Sequence, residues 1–174
     1  MQTESHVLPD VLPLGLSAVI CGTAAGPTSA ALGAYYANRR NNFWSVLQQV
    51  KLTPYKLRPN EFVALHKFGL GLTDIAKTMF GTDANLPPGA FDVASFVDKI
   101  RRCQPGIIAF NGKRAACVFY GISSGVRLAY GPSELNSPYP GFPQVFVLPS
   151  TSGTARGYWE PEYWQQFARR VKAK

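Results

Sequence analysis

Residues 19–44, VICGTAAGPTSAALGAYYANRRNNFW, decide how this chain is read. With Ala18, the run Val19-Ile20-Cys21 is apolar without interruption, as in a strand buried on both faces. The spacing predicts that this strand ends at Gly22. From Gly22 to Pro27 the residues are small, suited to a tight turn or to a backbone that approaches a ligand closely. Thr28 and Ser29 open a short helix, where hydroxyls and free amides can meet an anion. Paired tyrosines, arginines and asparagines then precede Phe43-Trp44. Aromatic, cationic and amide groups crowded in this way suit gripping a base and its phosphates. An ordinary strand, loop and helix with a decorated loop accounts for the same residues equally well.

Outward from this stretch, the pattern alternates between strand and helix. Asn42 is placed to cap a helix from Phe43 to about Val50. Arg58-Pro59-Asn60-Glu61 starts a second helix, with Phe62, Leu65 and Phe68 on its apolar side. Residues 69–77 read as a strand feeding a polar loop, and 82–89 as loop. Asp92 to Cys103 has helical spacing, with basic residues in its last turn. Ile107 to Phe110 is a second buried strand, followed by a helix from Lys113 to about Phe119. Val126 to Tyr130 is a short strand candidate, Gln144 to Leu148 a firmer one, and residues 161–172 a terminal helix. The alternation predicts an α/β fold: a single domain over residues 1–174, three-layer α/β/α with a central, mainly parallel sheet. In such a sheet the loops at the carboxyl ends of the strands share one edge, where ligands bind.

The 174 residues carry 18 basic and 10 acidic side chains, a formal charge of +8, which favours a polyanionic partner. Hydrophobic residues make up 46%, enough for a sizeable core rather than a disordered chain. Cysteines at 21, 103 and 117 lack the spacing of a metal or redox motif, and no His, Cys and carboxylate cluster has ligand spacing. No cofactor and no metal are therefore expected. An apolar run long enough to span a membrane and a signal-peptide pattern are both missing, so an intracellular protein is expected, cytoplasmic and nucleoid-associated in a prokaryote.

Five motifs in order now carry a resemblance over nearly the whole chain. Gly22-Thr23-Ala24-Ala25-Gly26 stands where a G-I-N-P-G motif would, and Tyr36 precedes Asn41-Asn42-Phe43-Trp44. Gly71-Leu72-Thr73-Asp74, Phe110-Asn111-Gly112-Lys113 and Pro149-Ser150-Thr151-Ser152-Gly153-Thr154-Ala155-Arg156 follow. Together they resemble the mismatch-specific uracil-DNA and thymine-DNA glycosylases, a branch of the uracil-DNA glycosylase superfamily. The resemblance implies hydrolysis of the bond between a damaged base and its sugar, after the nucleotide is flipped out of the duplex. The implied partners are double-stranded DNA containing uracil or mismatches and the abasic product, with the protein a monomer and no membrane involved.

By that resemblance the base lies against Gly22, Thr23, Ala24, Tyr36 and Asn41. Tyr36 stacks on it, unless its ring is simply core. DNA contacts fall to Thr28, Ser29, Arg39, Lys113, Ser152, Thr154 and Arg156, with Arg40 and Arg114 as looser candidates. Arg156 enters the duplex or, as the plain alternative, pairs with phosphate on the surface. One departure matters: the family's water-positioning Asn is Ala24 here, and the first residue of the second signature is Ser150. Superfamily branches that tolerate a nonpolar residue there often hold an iron–sulfur cluster, which the cysteine spacing here does not fit. Asp74 and Ser150 are then the catalytic candidates. Asp74 either steers water, stabilises positive charge on the sugar, contacts the base, or caps a helix. An active glycosylase and a weakly catalytic or non-catalytic binder of uracil-containing or abasic DNA both fit. A nucleotide-binding enzyme lacks its glycine motif.

Overall fold

Val19, Ile20 and Cys21 have no solvent exposure, and the strand they belong to is flanked on both sides by parallel partners. In the computed structural model, which describes residues 5–123 and 128–173, β1 (Ala18–Ala25) lies between β2 (Leu70–Phe80) and β3 (Ile107–Asn111). Next to β3 runs β5 (Gln144–Leu148), also parallel. The two-residue β4 (Gly131–Pro132) closes that side antiparallel, so the strand order is β2-β1-β3-β5-β4. On the other edge Val11 bridges Leu72 in antiparallel sense.

Helices cover both faces, giving the three-layer α/β/α arrangement that the alternation predicts. One face holds a core of Ile20, Leu72, Ala109 and Leu148 under α2 (Phe43–Gln49) and α5 (Pro161–Lys172). The other packs Val19, Cys21, Phe110 and Val147 under α3 (Val93–Cys103) and α4 (Lys113–Tyr120). Strand side chains alternate between faces, which is why adjacent residues of one strand serve different cores. A short α1 (Pro27–Leu32) follows β1.

Several boundaries differ from the sequence expectation. β1 does not stop at Gly22: Gly22 and Ala24 pair with Asp74 and Ala76, so the small-residue motif is itself strand as far as a register shift after Ala24. β2 likewise runs past Lys77 to Phe80. Residues 59–68 form a 3-10 rather than an α-helix, with the Glu61 carboxylate accepting from the Arg58 amide at 2.8 Å. Residues 82–89 include short helical turns at Asp83–Asn85 and from Pro88. Asn42 precedes α2 without a side-chain cap; the Asn41 Oδ1 accepts from the Phe43 amide at 3.0 Å instead. Of the expected strand from Val126 to Tyr130, Val126 and Arg127 lie outside the described residues. The observed β4 begins just after Tyr130.

Candidate active site

The chain leaves β1 toward β2 on one side and returns to β3 on the other. A crevice at the carboxyl ends of strands that part in this way is where open α/β sheets bind ligands. Here one row of residues crosses that edge. The register sets Asp74 of β2 opposite Gly22 of β1, and Cys21 opposite Phe110, so that Asn111 of β3 follows at the level of Gly22. Leu148 lies opposite Asn111, and the loop carrying Ser150 to Arg156 begins immediately beyond it.

Gly22 holds its place because two oxygens stand over it. A Cβ there would lie 2.5 Å from Asp74 Oδ1 and 3.2 Å from the Tyr36 hydroxyl. Asp74 is only 4% exposed. Burial pushes its carboxyl up to about 6, against the opposing influence of Lys77 and the Gly22 amide. The group is thus poised to change charge near neutral pH, as a general base requires.

Tyr36 is aimed at this corner by its loop. Its backbone is left-handed (φ 52°), an uncommon state for a bulky residue and one the surroundings must enforce. The enforcement is visible. Ser29 Oγ accepts from the Ala37 amide at 3.1 Å, and Trp44 Nε1 donates to the Tyr35 carbonyl at 3.0 Å. The Tyr36 ring stacks on Phe43 with centroids 4.0 Å apart and planes at 25°. Phe43 rests edge-on against Trp44 and Trp164. One face of Tyr36 is therefore committed to the core, while the residue as a whole stays half-buried.

Asn111, which the sequence reading placed in a motif but gave no role, joins the site. Its Oδ1 accepts from the Thr151 amide at 3.1 Å and its Nδ2 donates to Thr151 Oγ1 at 2.9 Å. The Thr151 carbonyl in turn accepts from the Asn42 amide at 3.0 Å. Thr151 thereby joins the end of β3, the start of α2 and the 149–156 loop. The available signal was an amide side chain ending a wholly apolar strand, immediately before a glycine.

Other expected contacts fall elsewhere. Ser29 is buried, and its hydroxyl accepts from the Ala37 amide to hold the tyrosine loop. Asn41 spends its side-chain oxygen on α2. Thr23 turns its hydroxyl to Asp83, where it partly offsets the rise that burial imposes on that carboxyl. Ala24 packs against the small apolar cluster of Ala76, Leu86 and Ala90, and the register sets Asp74 two residues before its level. Ser150 Oγ accepts from the Ser152 amide at 3.2 Å, and the Ser152 and Thr154 hydroxyls bond each other at 3.0 Å. Lys113 lies over the Tyr130 ring at 4.4 Å. Thr28 is half-buried at the start of α1, whereas Arg39 and Arg156 are exposed, Arg156 within a 3-10 segment from Gly153 to Tyr158. Gly153 approaches the Arg40 backbone so closely that a Cβ would come within 2.9 Å of its carbonyl oxygen. The tyrosine loop and the arginine loop are thus packed against each other at the same edge.

Behind the site, Asp10 pairs with Lys77 and Lys99, each at 2.8 Å, and accepts from Thr73 Oγ1 at 2.7 Å. Lys77 also donates to the Tyr35 hydroxyl at 3.0 Å. Among the described residues no group of three or more His, Cys, Asp or Glu is arranged to hold a metal ion.

Comparison with known proteins bears on this geometry. The family profile described as the Uracil DNA glycosylase superfamily matches residues 9–172. The solution structure of a Methanosarcina acetivorans protein, described provisionally as a uracil DNA glycosylase, aligns with a TM-score of 0.66 at 19% identity. The alignment covers 97% of this chain and 98% of that one. At this identity the likeness speaks for the fold.

Proposed function

The chain belongs to the uracil-DNA glycosylase superfamily, and from that premise we propose that it is a monofunctional uracil-DNA glycosylase related to the mismatch-specific branch. It flips uracil from duplex DNA and hydrolyses the bond between the base and its sugar. The observation that carries this reading is the buried Asp74 carboxylate, without an ion pair among the described residues and poised near pH 6 over Gly22 with Asn111 in the same row. The extruded base stacks on the half-open side of Tyr36, a contact worth ~1–3 kcal/mol. Asn111, its amide oriented by Thr151 and lying beside the Tyr36 hydroxyl, is placed to meet a base carbonyl. Water attacks C1′ of the sugar, and the pair of the glycosidic bond leaves with the base. The ionised Asp74 takes the water proton and offsets the positive charge that develops on the sugar. Asp74 thus does the work of the Asn that Ala24 replaces.

Arg156, exposed on a loop packed against the tyrosine loop, fills the gap in the duplex, while the net positive charge supports contacts along the phosphates. Neither metal nor cofactor enters any step. One gel tests the reading: a uracil-containing duplex incubated with protein and chelator, then treated with alkali. Alkali-dependent strand cleavage at the uracil is expected, with no cleavage before alkali. Tight binding to the same duplex without alkali-labile sites would instead leave a binder of damaged DNA.

A further inference from the structure

Tyr158 is 72% exposed, more than Phe80 or Tyr55. An exposed aromatic alone needs no explanation, but this one is held out by a fastened loop. Gly153 packs against the Arg40 backbone, and Ser152 Oγ accepts from the Thr154 amide at 3.4 Å. The Trp159 amide donates to the Arg156 carbonyl at 3.2 Å, and the Trp159 side chain packs against the core under α2 and α5. Between these anchors Thr154, Arg156, Gly157 and Tyr158 are exposed, and no other segment comes within 4 Å of a Cβ built at Gly157. The ring is therefore presented with open space beside it.

The neighbours of that space are aromatic and cationic. Burial raises the pKa of the Tyr130 phenol, and Glu160 and Tyr158 raise it further, which places both side chains beside Tyr130. Lys113, at the start of α4, holds its ammonium 4.4 Å from the centre of the Tyr130 ring. All three belong to the ligand edge: Tyr130 precedes Gly131, which pairs with Val147 one residue before β5 ends. Resting on the glycosylase reading above, we infer that Tyr158 is a stacking site for the unpaired base next to the flipped nucleotide, with Lys113 meeting a phosphate of the same strand. Uracil in single-stranded DNA is then a substrate alongside uracil in duplex. Every base offers a π face, so the contact tolerates any sequence. An ammonium over a ring keeps N–H donors for a phosphate oxygen, whereas the Glu160 carboxylate repels phosphates and leaves the backbone to the Lys113 side. Arg156 does not duplicate this role. Two residues apart in a 3-10 segment, the side chains diverge by roughly a third of a circle, so they meet different nucleotides. A wedge also needs a second strand to leave a gap, and a stacking ring does not.

Tyr158→Ala and Tyr158→Phe test this, and both should melt at the wild-type temperature because the residue is exposed. The probe is a single-stranded oligonucleotide carrying 2′-fluoro-deoxyuridine, which resists cleavage, with 2-aminopurine on one side of it or the other. Wild type and Tyr158→Phe should quench the fluorophore at one of the two positions. Tyr158→Ala should quench neither and bind about 5- to 20-fold more weakly, the lower part of the range for one base stacked on an aromatic. Replacing that neighbour by an abasic analogue should weaken wild type by the same factor and leave Tyr158→Ala unaffected, since the two changes remove one contact. Quenching at neither position, an alanine variant that binds like wild type, or a phenylalanine variant as weak as alanine would overturn the inference. A wild-type protein that releases no uracil yet shows the Tyr158-dependent quenching would support the stacking site and defeat the glycosylase reading instead.

Discussion

Two carboxylates, a buried Asp74 and a half-buried Asp10, meet β2 from opposite faces, and they have been treated in opposite ways. Asp10, from the lead-in segment, reaches Thr73, Lys77 and Lys99. Burial alone would raise its pKa, but the Lys77 charge and the three hydrogen bonds outweigh that and hold it below the ordinary carboxylate range. Asp74, the next residue after Thr73, has no ion-pair partner among the described residues, and burial dominates: its pKa rises to about 6. Side chains of neighbouring strand residues point to opposite faces, so one strand serves a structural clamp and a reactive corner without merging them. A carboxylate fully satisfied by cations is a good fastener and a poor base. One deprived of partners is the reverse, at some cost to stability.

The largest effect expected from breaking this contrast is on chemistry. Asp74→Ala should lower single-turnover excision by ~10²–10⁴-fold, while binding to uracil-containing DNA changes little. The wild-type rate should rise as pH passes through about 6, where the carboxylate ionises. Near-native cleavage by this variant, or joint loss of binding and folding, would make Asp74 structural.

Next in size is Asp10→Ala, which strands two lysines whose side chains are 8% and 14% exposed. Removing one partner of a buried pair costs up to ~3–5 kcal/mol, and partial exposure favours the lower end. Denaturant titration should show that loss, whereas excision per folded molecule stays near wild type. The contrast sharpens further in the pH profile. Asp10 raises the Asp74 pKa through its charge, so the acidic limb should move to lower pH in this variant. An excision rate that collapses while stability holds would mean the clamp and the corner are one unit.

The smallest expected effect is a gain. Folding raises the Asp74 pKa, so between about pH 4 and 6 the native state binds more protons than the unfolded chain. Stability then falls as pH rises through that window. Asp74→Asn removes this penalty. It should be near neutral at pH 4 and stabilising by about 1–3 kcal/mol above pH 6, read from unfolding midpoints across pH. A gain of equal size at both ends would point to packing rather than charge.

Some of this was open to a reader of the sequence. The apolar run 18–21 must be an inner strand, the 3–4 spacing after Asp92 must be a helix, and Asp74 stands out as an acid beside a glycine motif. These readings follow from local patterns, where periodicity and the chemistry of one side chain suffice. They place the ligand edge correctly because parallel strands leave their carboxyl ends together. Small residues signalled a turn after Cys21, yet the strand continues to Ala25, since pairing with β2 overrides a local preference for turning.

Only the folded chain could decide which polar groups are still available. Ser29, Thr23 and Asn41 have the composition of a ligand site, but each spends its oxygen inside the protein, on Ala37, Asp83 and Phe43. Asn111 and Thr151 find each other across 40 positions, and Asp10 and Lys99 across 89. A hydroxyl or an amide looks the same in sequence whether or not it is paired, because its partner is chosen by contacts between distant segments. The sequence by itself determined the strands, the edge they share and the kind of chemistry gathered there. The tertiary structure alone left Asp74 without an ion pair among the described residues and set the Tyr36 hydroxyl over Gly22, because burial and register depend on every layer of the fold at once.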